Sequence, residues 1–192
     1  MHCNGTTKRG KPCTKPIKRG QEFCHLHKLT SIVVPQQCSA RTRGHRCKHR
    51  TLRGTLCYQH LIKLKQLRIK KSTLPGAGFG LFGTKPFHRG EKVAPYSGDV
   101  VVSNDPEFGD DYTLQIKRSP PTFITARRTN TGEGRYANAR NRGLGQGYNN
   151  AQLIFDARAQ EANVKATKTI PTGTEITVAY GAQYWRDRNR NR

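Results

Sequence analysis

The cysteines and histidines of this chain constrain its fold more than any other feature, because they form two matching sets near the N-terminus. All six cysteines precede residue 58. The first set is Cys3, Cys13, Cys24 and His27, and the second set is Cys38, Cys47, Cys57 and His60. Corresponding residues lie 33 to 35 positions apart, and each set ends in Cys-x-x-His. A repeat of this length predicts two copies of one small structural unit.

Each set supplies three thiolates and one imidazole, which form a complete tetrahedral ligand set for a structural zinc ion and leave no open position for catalysis. The segments between the ligands are short, basic and nearly free of large apolar residues. Burial alone cannot offset the entropy lost when such segments become ordered, so we expect the metal to supply most of the folding free energy. The sequence therefore predicts two structural Zn²⁺ sites.

Disulfide bonds are the alternative use of the six cysteines. The N-terminus is polar and lacks the apolar segment of a secretory signal, and thiols stay reduced in the cytosol and nucleus. We therefore expect thiolate ligands. Other histidines could compete for the metal, but only His27 and His60 occupy equivalent positions in the repeat. The competing histidines are His2, His25, His45 and His49.

Positive charge is concentrated in the same part of the chain. The net charge of the chain is +23. Residues 1–72 contain 18 Lys and Arg and one acidic residue, whereas residues 73–192 contain 17 Lys and Arg and 11 acidic residues. Such a one-sided field attracts polyanions, so we expect nucleic acid to bind the basic N-terminal region; a surface that only aids solubility is the alternative. No apolar run approaches the ~20 residues needed to cross a bilayer, so no membrane partner is expected.

A glycine run opens the second part of the chain, with Gly76, Gly78 and Gly80 at every second position. The missing side chains predict a sharp bend, or a close approach by a ligand or another backbone. The run lacks the spacing of a dinucleotide-binding fingerprint, and no Lys-Ser/Thr follows to make a phosphate loop. A turn without a ligand is the alternative.

Short β-favouring runs separated by turn signals predict a mainly β domain between residues 67 and 185. The segment 67–70 alternates apolar and polar residues as a strand does. Further predicted strands include residues 100–102, 123–125, 153–155 and 176–178. No long amphipathic helix is predicted, residues 140–146 are expected to form a surface loop, and the basic tail 186–192 is expected to be disordered.

Four segments in order resemble motifs of the SET domain, the fold of S-adenosylmethionine-dependent protein-lysine methyltransferases. They are residues 76–82, residues 89–99 with Arg-Gly-Glu and Tyr-Ser-Gly-Asp, residues 124–138 ending in Arg-Tyr-Ala-Asn, and residues 170–185 ending in Tyr-Gly and Tyr-Trp. The resemblance implies a SET-like fold of short strands with a knot-like site at residues 67–185. Zinc modules at residues 1–29 and 30–62 would precede it.

The resemblance also implies roles for individual residues. Tyr180 would be the catalytic tyrosine, with its hydroxyl beside the transferring methyl group and the target nitrogen, and Tyr96 would line and orient the lysine channel. An apolar channel favours the neutral amine of a lysine, whose pKa is otherwise about 10.4. S-adenosylmethionine would be bound by Ala77, Gly78, Phe79, Gly80, Asn138, Ala139 and Trp185. Glu175 is given no role.

The chain departs from the family pattern beside the proposed cofactor asparagine. Ala139 and Arg140 stand where the family has His and then Ser or Cys, and Val178 replaces an aromatic residue two positions before the tyrosine. The expected function is lysine N-methylation of a histone or another chromatin-associated protein, in the nucleus or on chromatin. The alternative is a catalytically inactive SET-like adaptor that binds nucleic acid through its zinc modules.

Overall fold

Short strands dominate the architecture, as the sequence predicts. The computed structural model describes residues 2–3, 13–17, 33–102, 104, 112–141, 143, 145–157 and 161–180. The strands are β1 (Gln36–Gln37), β2 (Arg41–Thr42), β3 (His45–Arg46), β4 (Arg50–Thr51), β5 (Leu67–Lys71), β6 (Phe79–Gly83), β7 (Lys92–Tyr96), β8 (Asp99–Val102), β9 (Thr113–Lys117), β10 (Thr122–Thr125), β11 (Ala151–Asp156), β12 (Glu161–Ala166) and β13 (Glu175–Ile176). The helical segments are an α-helical turn (Tyr58–His60), a π-helical turn (Leu61–Lys65) and a 3-10 turn (Glu133–Tyr136). The prediction of a mainly β chain is confirmed.

The strands form small antiparallel sheets. The three-stranded sheets have the orders β13-β6-β5, β11-β12-β7 and β8-β10-β9, and the two-stranded ribbons pair β1 with β4 and β2 with β3. Both ribbons belong to the second cysteine-histidine unit. None of the described helical segments has the length and apolar character needed to cross a membrane.

The sequence explains which strand lies at the centre of the glycine-run sheet. In β6 the residues after Phe79 are all buried, and Phe82 pairs with Arg68 on one side and Glu175 on the other. Strand β5 forms an edge of this sheet. Its exposed Arg68, Lys70 and Lys71 are the charged residues that protect an edge strand from pairing with another chain.

The principal apolar core contains residues from the second unit and from the sheets. Leu56 and Leu61 follow the ribbons and pack in one cluster with Leu67, Leu81 and Ile176. Two of the predicted zinc ligands, Cys38 and Cys57, belong to the same cluster. The described part of the second unit is therefore packed on the sheet domain and shares its core.

A second, smaller core lies between the other two sheets. It contains Tyr96 at the end of β7, Ile124 of β10 and Ala162 of β12. Small residues such as Ala162 and Ala126 leave room for the Tyr96 ring. The two cores are bridged by Leu153, which packs partly against both.

The closing strand is shorter than the sequence indicates. The sequence predicts a strand over residues 176–178, but strand β13 covers Glu175–Ile176. Thr177 leaves the sheet because it forms an isolated parallel bridge with Asn138, and its backbone also bonds to the side chain and backbone of Asn150. The segment that follows β13 is thus paired with Asn138 and Asn150 instead of extending the sheet.

Candidate active site and metal centre

The glycine run forms a tight turn that leads into β6. Gly76 and Gly78 have φ values of 73° and 69°, a region that residues with a side chain rarely adopt. The Ala77 amide donates to the Leu74 carbonyl at 3.2 Å, and the Ser72 amide donates to the Gly78 carbonyl at 2.9 Å. The predicted bend is confirmed.

Gly80 is needed for a different reason: its missing side chain leaves room for a buried carboxylate. A Cβ atom built on Gly80 would lie 2.3 Å from Glu175 Oε1, far inside van der Waals contact. The neighbour that requires this glycine is therefore a side chain of the same protein. No residue larger than glycine fits here without displacing Glu175.

Glu175 joins the glycine-run turn to the rest of the site. Its carboxylate is 2% exposed and accepts hydrogen bonds from Ser72 Oγ at 2.6 Å, Thr73 N at 2.7 Å and Thr73 Oγ1 at 2.5 Å. Asn138 Nδ2 donates the fourth bond at 3.0 Å. Burial by itself raises the pKa of Glu175, but these donors outweigh burial, so the pKa lies below its usual value of 4.5.

These contacts fix the orientation of the Asn138 side chain. Its Nδ2 donates both to Glu175 and to the backbone carbonyl of Phe79, at 3.0 Å each. Both partners are acceptors, so the network identifies which end of the amide is nitrogen. Asn138 therefore presents Oδ1 as its remaining acceptor, directly beside the glycine-run turn.

The segment that carries Tyr180 runs alongside the Asn138 segment. The Val178 amide donates to the Asn138 carbonyl at 2.8 Å, and the half-buried Tyr180 donates its hydroxyl to the Ala137 carbonyl at 3.0 Å. Asn150 clamps the closing segment, because its Oδ1 accepts from Thr177 N and its Nδ2 donates to the Glu175 carbonyl, both at 2.8 Å. The structure thus brings Asn138, Tyr180 and the glycine run together.

Tyr96 lies in a different environment. It is buried in the second core, and its hydroxyl donates to the Tyr112 carbonyl at 2.7 Å. Tyr180 instead packs against the principal core. The two tyrosines that the resemblance pairs are thus supported by separate cores.

The residues that depart from the family pattern are anchored locally. Ala139 is buried, and Arg140 donates its amide to Asn149 Oδ1 at 2.8 Å and its Nη1 to the Gln146 carbonyl at 2.7 Å. Arg140 therefore holds the glycine-rich segment that follows it. Among the other predicted cofactor contacts, Ala77 is half-buried and Gly78 and Phe79 are exposed. Trp185 lies outside the described residues.

The second cysteine-histidine set converges on one point. One ligand atom from each of Cys38, Cys47, Cys57 and His60 lies within 4.8 Å of all the others. His60 Nδ1 is 3.6 Å from Cys38 Sγ and 3.2 Å from Cys57 Sγ. In a tetrahedral site with Zn–S and Zn–N bonds of about 2.3 and 2.0 Å, sulfur and nitrogen lie about 3.5 Å apart. The geometry therefore fits one zinc ion.

The surroundings of this centre also suit thiolate ligands. The Cys57 amide donates to Cys38 Sγ at 3.2 Å. Burial raises the pKa of both Cys38 and Cys57. Backbone donors from Cys57 and Ala40 bring the pKa of Cys38 below its usual value, whereas the pKa of Cys57 stays raised, so the thiolate form is favoured at Cys38. The exposed His49 also approaches the set, with Nδ1 3.5 Å from Cys47 Sγ, yet the four-residue cluster contains His60.

The first set is described only in part. Cys3 and Cys13 are buried together beside Ile17, and the Cys3 amide donates to the Lys15 carbonyl at 3.0 Å. Cys24 and His27 lie outside the described residues, so the first zinc site stays a prediction. The described cysteines (Cys3, Cys13, Cys38, Cys47 and Cys57) are not joined in disulfide bonds.

Sequence reasoning missed two contributors to the site. The family resemblance gives Glu175 no role, and no local sequence signal points to one, because its donors Ser72 and Thr73 lie 103 and 102 positions earlier. The sequence does not point to Arg53, whose guanidinium carbon lies 3.5 Å from the centroid of the Phe79 ring. No sequence pattern places a residue of the cysteine-histidine unit on the glycine run.

Comparisons with known proteins agree with this geometry. A family model described as the SET domain matches residues 78–181, more than half of the chain. Among solved structures, the fold is similar to the methyltransferase domain of human PR domain-containing protein 2, with a TM-score of 0.50 and 22% identity. That match covers 65% of this chain and 84% of the human domain. No curated protein sequence matches the chain.

Proposed function

This chain belongs to the SET-domain family of methyltransferases, and on that premise we propose that it is an S-adenosylmethionine-dependent protein-lysine N-methyltransferase. The observation that carries the proposal is the convergence of three distant segments. The Asn138 side chain bonds to the Phe79 carbonyl, and the Tyr180 hydroxyl bonds to the carbonyl of the adjacent Ala137. The proposed cofactor residues and the proposed catalytic tyrosine are therefore at one place.

The described residues suit the polar end of S-adenosylmethionine. Asn138 offers Oδ1 as an acceptor that an ammonium group could use, while its Nδ2 is already committed to Phe79 and Glu175. The exposed backbone of Gly78 and Phe79 lies beside it. We propose that Ala77, Gly78, Phe79 and Asn138 hold the cofactor, which supplies an electrophilic methyl group when bound. Gly80, Ala139 and Trp185 remain further expected contacts.

Transfer to lysine requires a neutral amine held in line with the methyl group, which is mostly a matter of positioning. Tyr180 is proposed to orient that amine, because its ring is packed against the core and its hydroxyl has a fixed backbone partner. Tyr96 is proposed to shape the lysine channel from the second core. A histone-like tail is the proposed substrate.

Nucleic acid is the proposed partner of the second zinc unit. The described part of this unit, residues 33–62, contains six Lys and Arg and no acidic residue. Strands β2 and β3 form a hairpin whose turn residues, Arg43 and Gly44, both have positive φ, as expected for a tight two-residue turn. Arg43 in the turn and Lys48, two residues after β3, are exposed, so the hairpin and the segment that follows it present cations that suit phosphate groups. A nuclear or chromatin-associated location follows from this proposal.

The test is methyl transfer from S-adenosylmethionine to histone-tail peptides, followed by mass spectrometry. We expect Tyr180→Phe to abolish a +14 mass shift on lysine, whereas Tyr58→Phe, which removes an exposed hydroxyl, should retain it. Peptides in which arginine replaces every lysine should stay unmodified. Full activity of Tyr180→Phe would contradict the catalytic assignment.

The inactive adaptor is the competing function, and the observation in its favour is Arg140. Its side chain is used to hold the Gln146 carbonyl, which a Ser or Cys at that position could not reach. If the zinc-loaded protein binds duplex DNA but transfers no methyl group to any lysine peptide, the adaptor function replaces the enzyme.

A further inference from the structure

The loop that precedes Cys57 carries the second zinc unit onto the sheet domain. Gly54 donates its amide to the Thr129 carbonyl at 2.7 Å, and Thr55 donates its hydroxyl to Glu133 Oε1 at 3.1 Å. Glu133 is buried, with 1% exposure. The loop is therefore fixed to the segment that leads directly into the Asn138 region.

Arg53, in the same loop, reaches the glycine run itself. Its guanidinium carbon lies 3.5 Å from the centroid of the Phe79 ring, well inside the range of a cation–π contact. Phe79 is 42% exposed with Arg53 in place, so Arg53 covers one part of a side chain that otherwise faces solvent. The carbonyl of this same Phe79 accepts the Asn138 side chain at 3.0 Å.

We propose that Arg53 is a positioning residue through which zinc binding at Cys38, Cys47, Cys57 and His60 strengthens S-adenosylmethionine binding at the glycine run. This inference rests on the proposed function. It adds that the zinc unit, besides its proposed contact with nucleic acid, forms part of the support of the cofactor site.

The physical reason is the short path between the two sites. The loop of residues 51–56 is held at its C-terminal end by Cys57, a metal ligand, and Ser39 next to Cys38 donates to the Thr55 carbonyl at 2.9 Å. Without metal, Cys38 and Cys57 are no longer joined through an ion, and this end of the loop is held by hydrogen bonds such as those to Ser39, Thr129 and Glu133. The loop then samples more conformations. The free energy needed to order Arg53 on Phe79 therefore reduces the net free energy of cofactor binding.

Linkage makes the effect reciprocal. If zinc increases cofactor affinity by some factor, the cofactor must increase zinc affinity by the same factor. This reciprocity provides a readout that does not depend on catalysis. A general loss of stability couples the two affinities only where part of the protein is unfolded, so the comparison is made under conditions in which every variant is fully folded.

The experiment measures S-adenosylmethionine binding by calorimetry for zinc-loaded wild type, Arg53→Ala and Arg53→Lys. We expect Arg53→Ala to weaken binding about threefold to tenfold, the range of a partly exposed cation–π contact, and Arg53→Lys to recover part of the loss. Arg50→Ala is the matched control, because Arg50 is an exposed cation of the same unit whose side chain reaches the Pro35 carbonyl at 3.5 Å. The affinity of Arg50→Ala for S-adenosylmethionine should stay within about twofold of the wild-type affinity.

A second variant examines the same contact from the sheet side. Phe79→Leu should weaken S-adenosylmethionine binding by a similar factor. Because both changes remove the same contact, the double variant Arg53→Ala/Phe79→Leu should have about the same affinity as the single variant that binds less tightly. Zinc affinity, measured by chelator competition with and without S-adenosylmethionine, should rise with the cofactor in wild type and rise less in Arg53→Ala.

The outcomes distinguish the two proposals. Wild-type affinity in Arg53→Ala, or zinc affinity that does not change when the cofactor is added, would overturn the coupling and leave the methyltransferase function standing. No cofactor binding by zinc-loaded wild type would overturn both. If Arg53→Ala does not fold, Phe79→Leu and the zinc competition with wild type decide the question.

Discussion

The second zinc unit and the glycine-run sheet are neighbours in one core, but they are ordered by different forces. The unit has strands of two residues and depends on four side chains that converge on a metal site. The sheet contains β5 and β6, with five residues each, and the two-residue β13. Its site is fixed by hydrogen bonds to the buried Glu175 of β13. One region offers four ligands that fit a metal ion, and the other contains a buried carboxylate whose hydrogen bonds are satisfied.

This difference teaches where each region is vulnerable. Chelation should disorder the zinc unit and leave the sheet folded. Loss of one carboxylate should loosen the glycine run and leave the metal centre intact. The predictions below test whether the two regions can be separated in this way, from the largest expected effect to the smallest.

Removal of zinc should have the largest effect. A structural zinc ion contributes on the order of 10 kcal/mol to a small module, and the ribbons β1-β4 and β2-β3 have too few apolar residues to replace it. We expect a chelator to remove hydrogen-exchange protection from the Cys38 and Cys47 amides while β6 and β12 stay protected. Unchanged protection at Cys38 and Cys47 without metal would show that packing alone orders the unit.

Replacement of Glu175 should damage the sheet region specifically. Glu175→Gln puts an NH₂ group where donors already point, which leaves Thr73 or Ser72 unpaired at a cost of about 2–4 kcal/mol. Urea denaturation measures this cost. Zinc content should stay at the wild-type level, and lost zinc would mean that the two regions are not separable.

Gly80→Ala should reproduce part of this effect. The added Cβ would lie 2.3 Å from Glu175 Oε1, so the carboxylate must move and its bonds must lengthen. We expect a stability loss of about 1–3 kcal/mol and weaker cofactor binding. Gly145→Ala is the comparison, because a Cβ there meets no atom within 4 Å and only backbone strain remains. The Gly80→Ala loss should largely disappear in a Glu175→Ala background, and an unchanged loss there would remove Glu175 from the explanation.

The unfolding free energy should depend on pH in the acid range partly through Glu175. Its folded pKa lies below the usual 4.5, so its contribution is present above the unfolded value and is lost as pH falls through the folded pKa. The difference in unfolding free energy between wild type and Glu175→Gln should be constant near neutral pH and shrink below about pH 4.5. A difference that grows on acidification would mean that the pKa is raised.

The smallest effect on stability should come from the hairpin cations. Replacing both Arg43 and Lys48 with Ala should change the unfolding free energy by less than about 0.5 kcal/mol. Duplex-DNA affinity should nevertheless fall, and the dependence of log affinity on log salt should flatten by about 0.9 for each lost phosphate contact. Lys117→Ala, an exposed cation on a different sheet, is the control. Equal slopes for all variants would place the nucleic-acid surface elsewhere.

Local patterns predicted much of this structure. Strand β5 follows from alternation in its own residues, and the positive φ of Gly76 and Gly78 follows from their missing side chains. The ligands of the second metal site follow from the repeat, because only His60 matches His27. In each case the decisive information lies within a few residues or in a repeated spacing.

The remaining features depend on contacts between distant residues. Glu175 binds Ser72 and Thr73, about a hundred positions earlier, and no pattern in either segment refers to the other. Arg53 meets Phe79 only because Gly54 and Thr55 dock on Thr129 and Glu133. The closeness of Asn138 and Tyr180 came from the family resemblance, since hydrophobic periodicity alone does not pair these two segments.

S-adenosylmethionine binding is the most direct test of the central claim, because without a cofactor site neither the catalytic tyrosine nor the zinc coupling has a purpose. Calorimetry on zinc-loaded protein should give micromolar affinity, about −8 kcal/mol. Asn138→Ala should weaken it at least about tenfold, whereas Gln152→Ala, an exposed amide on β11, should not. No detectable binding to folded, zinc-loaded protein would contradict the account and favour the adaptor.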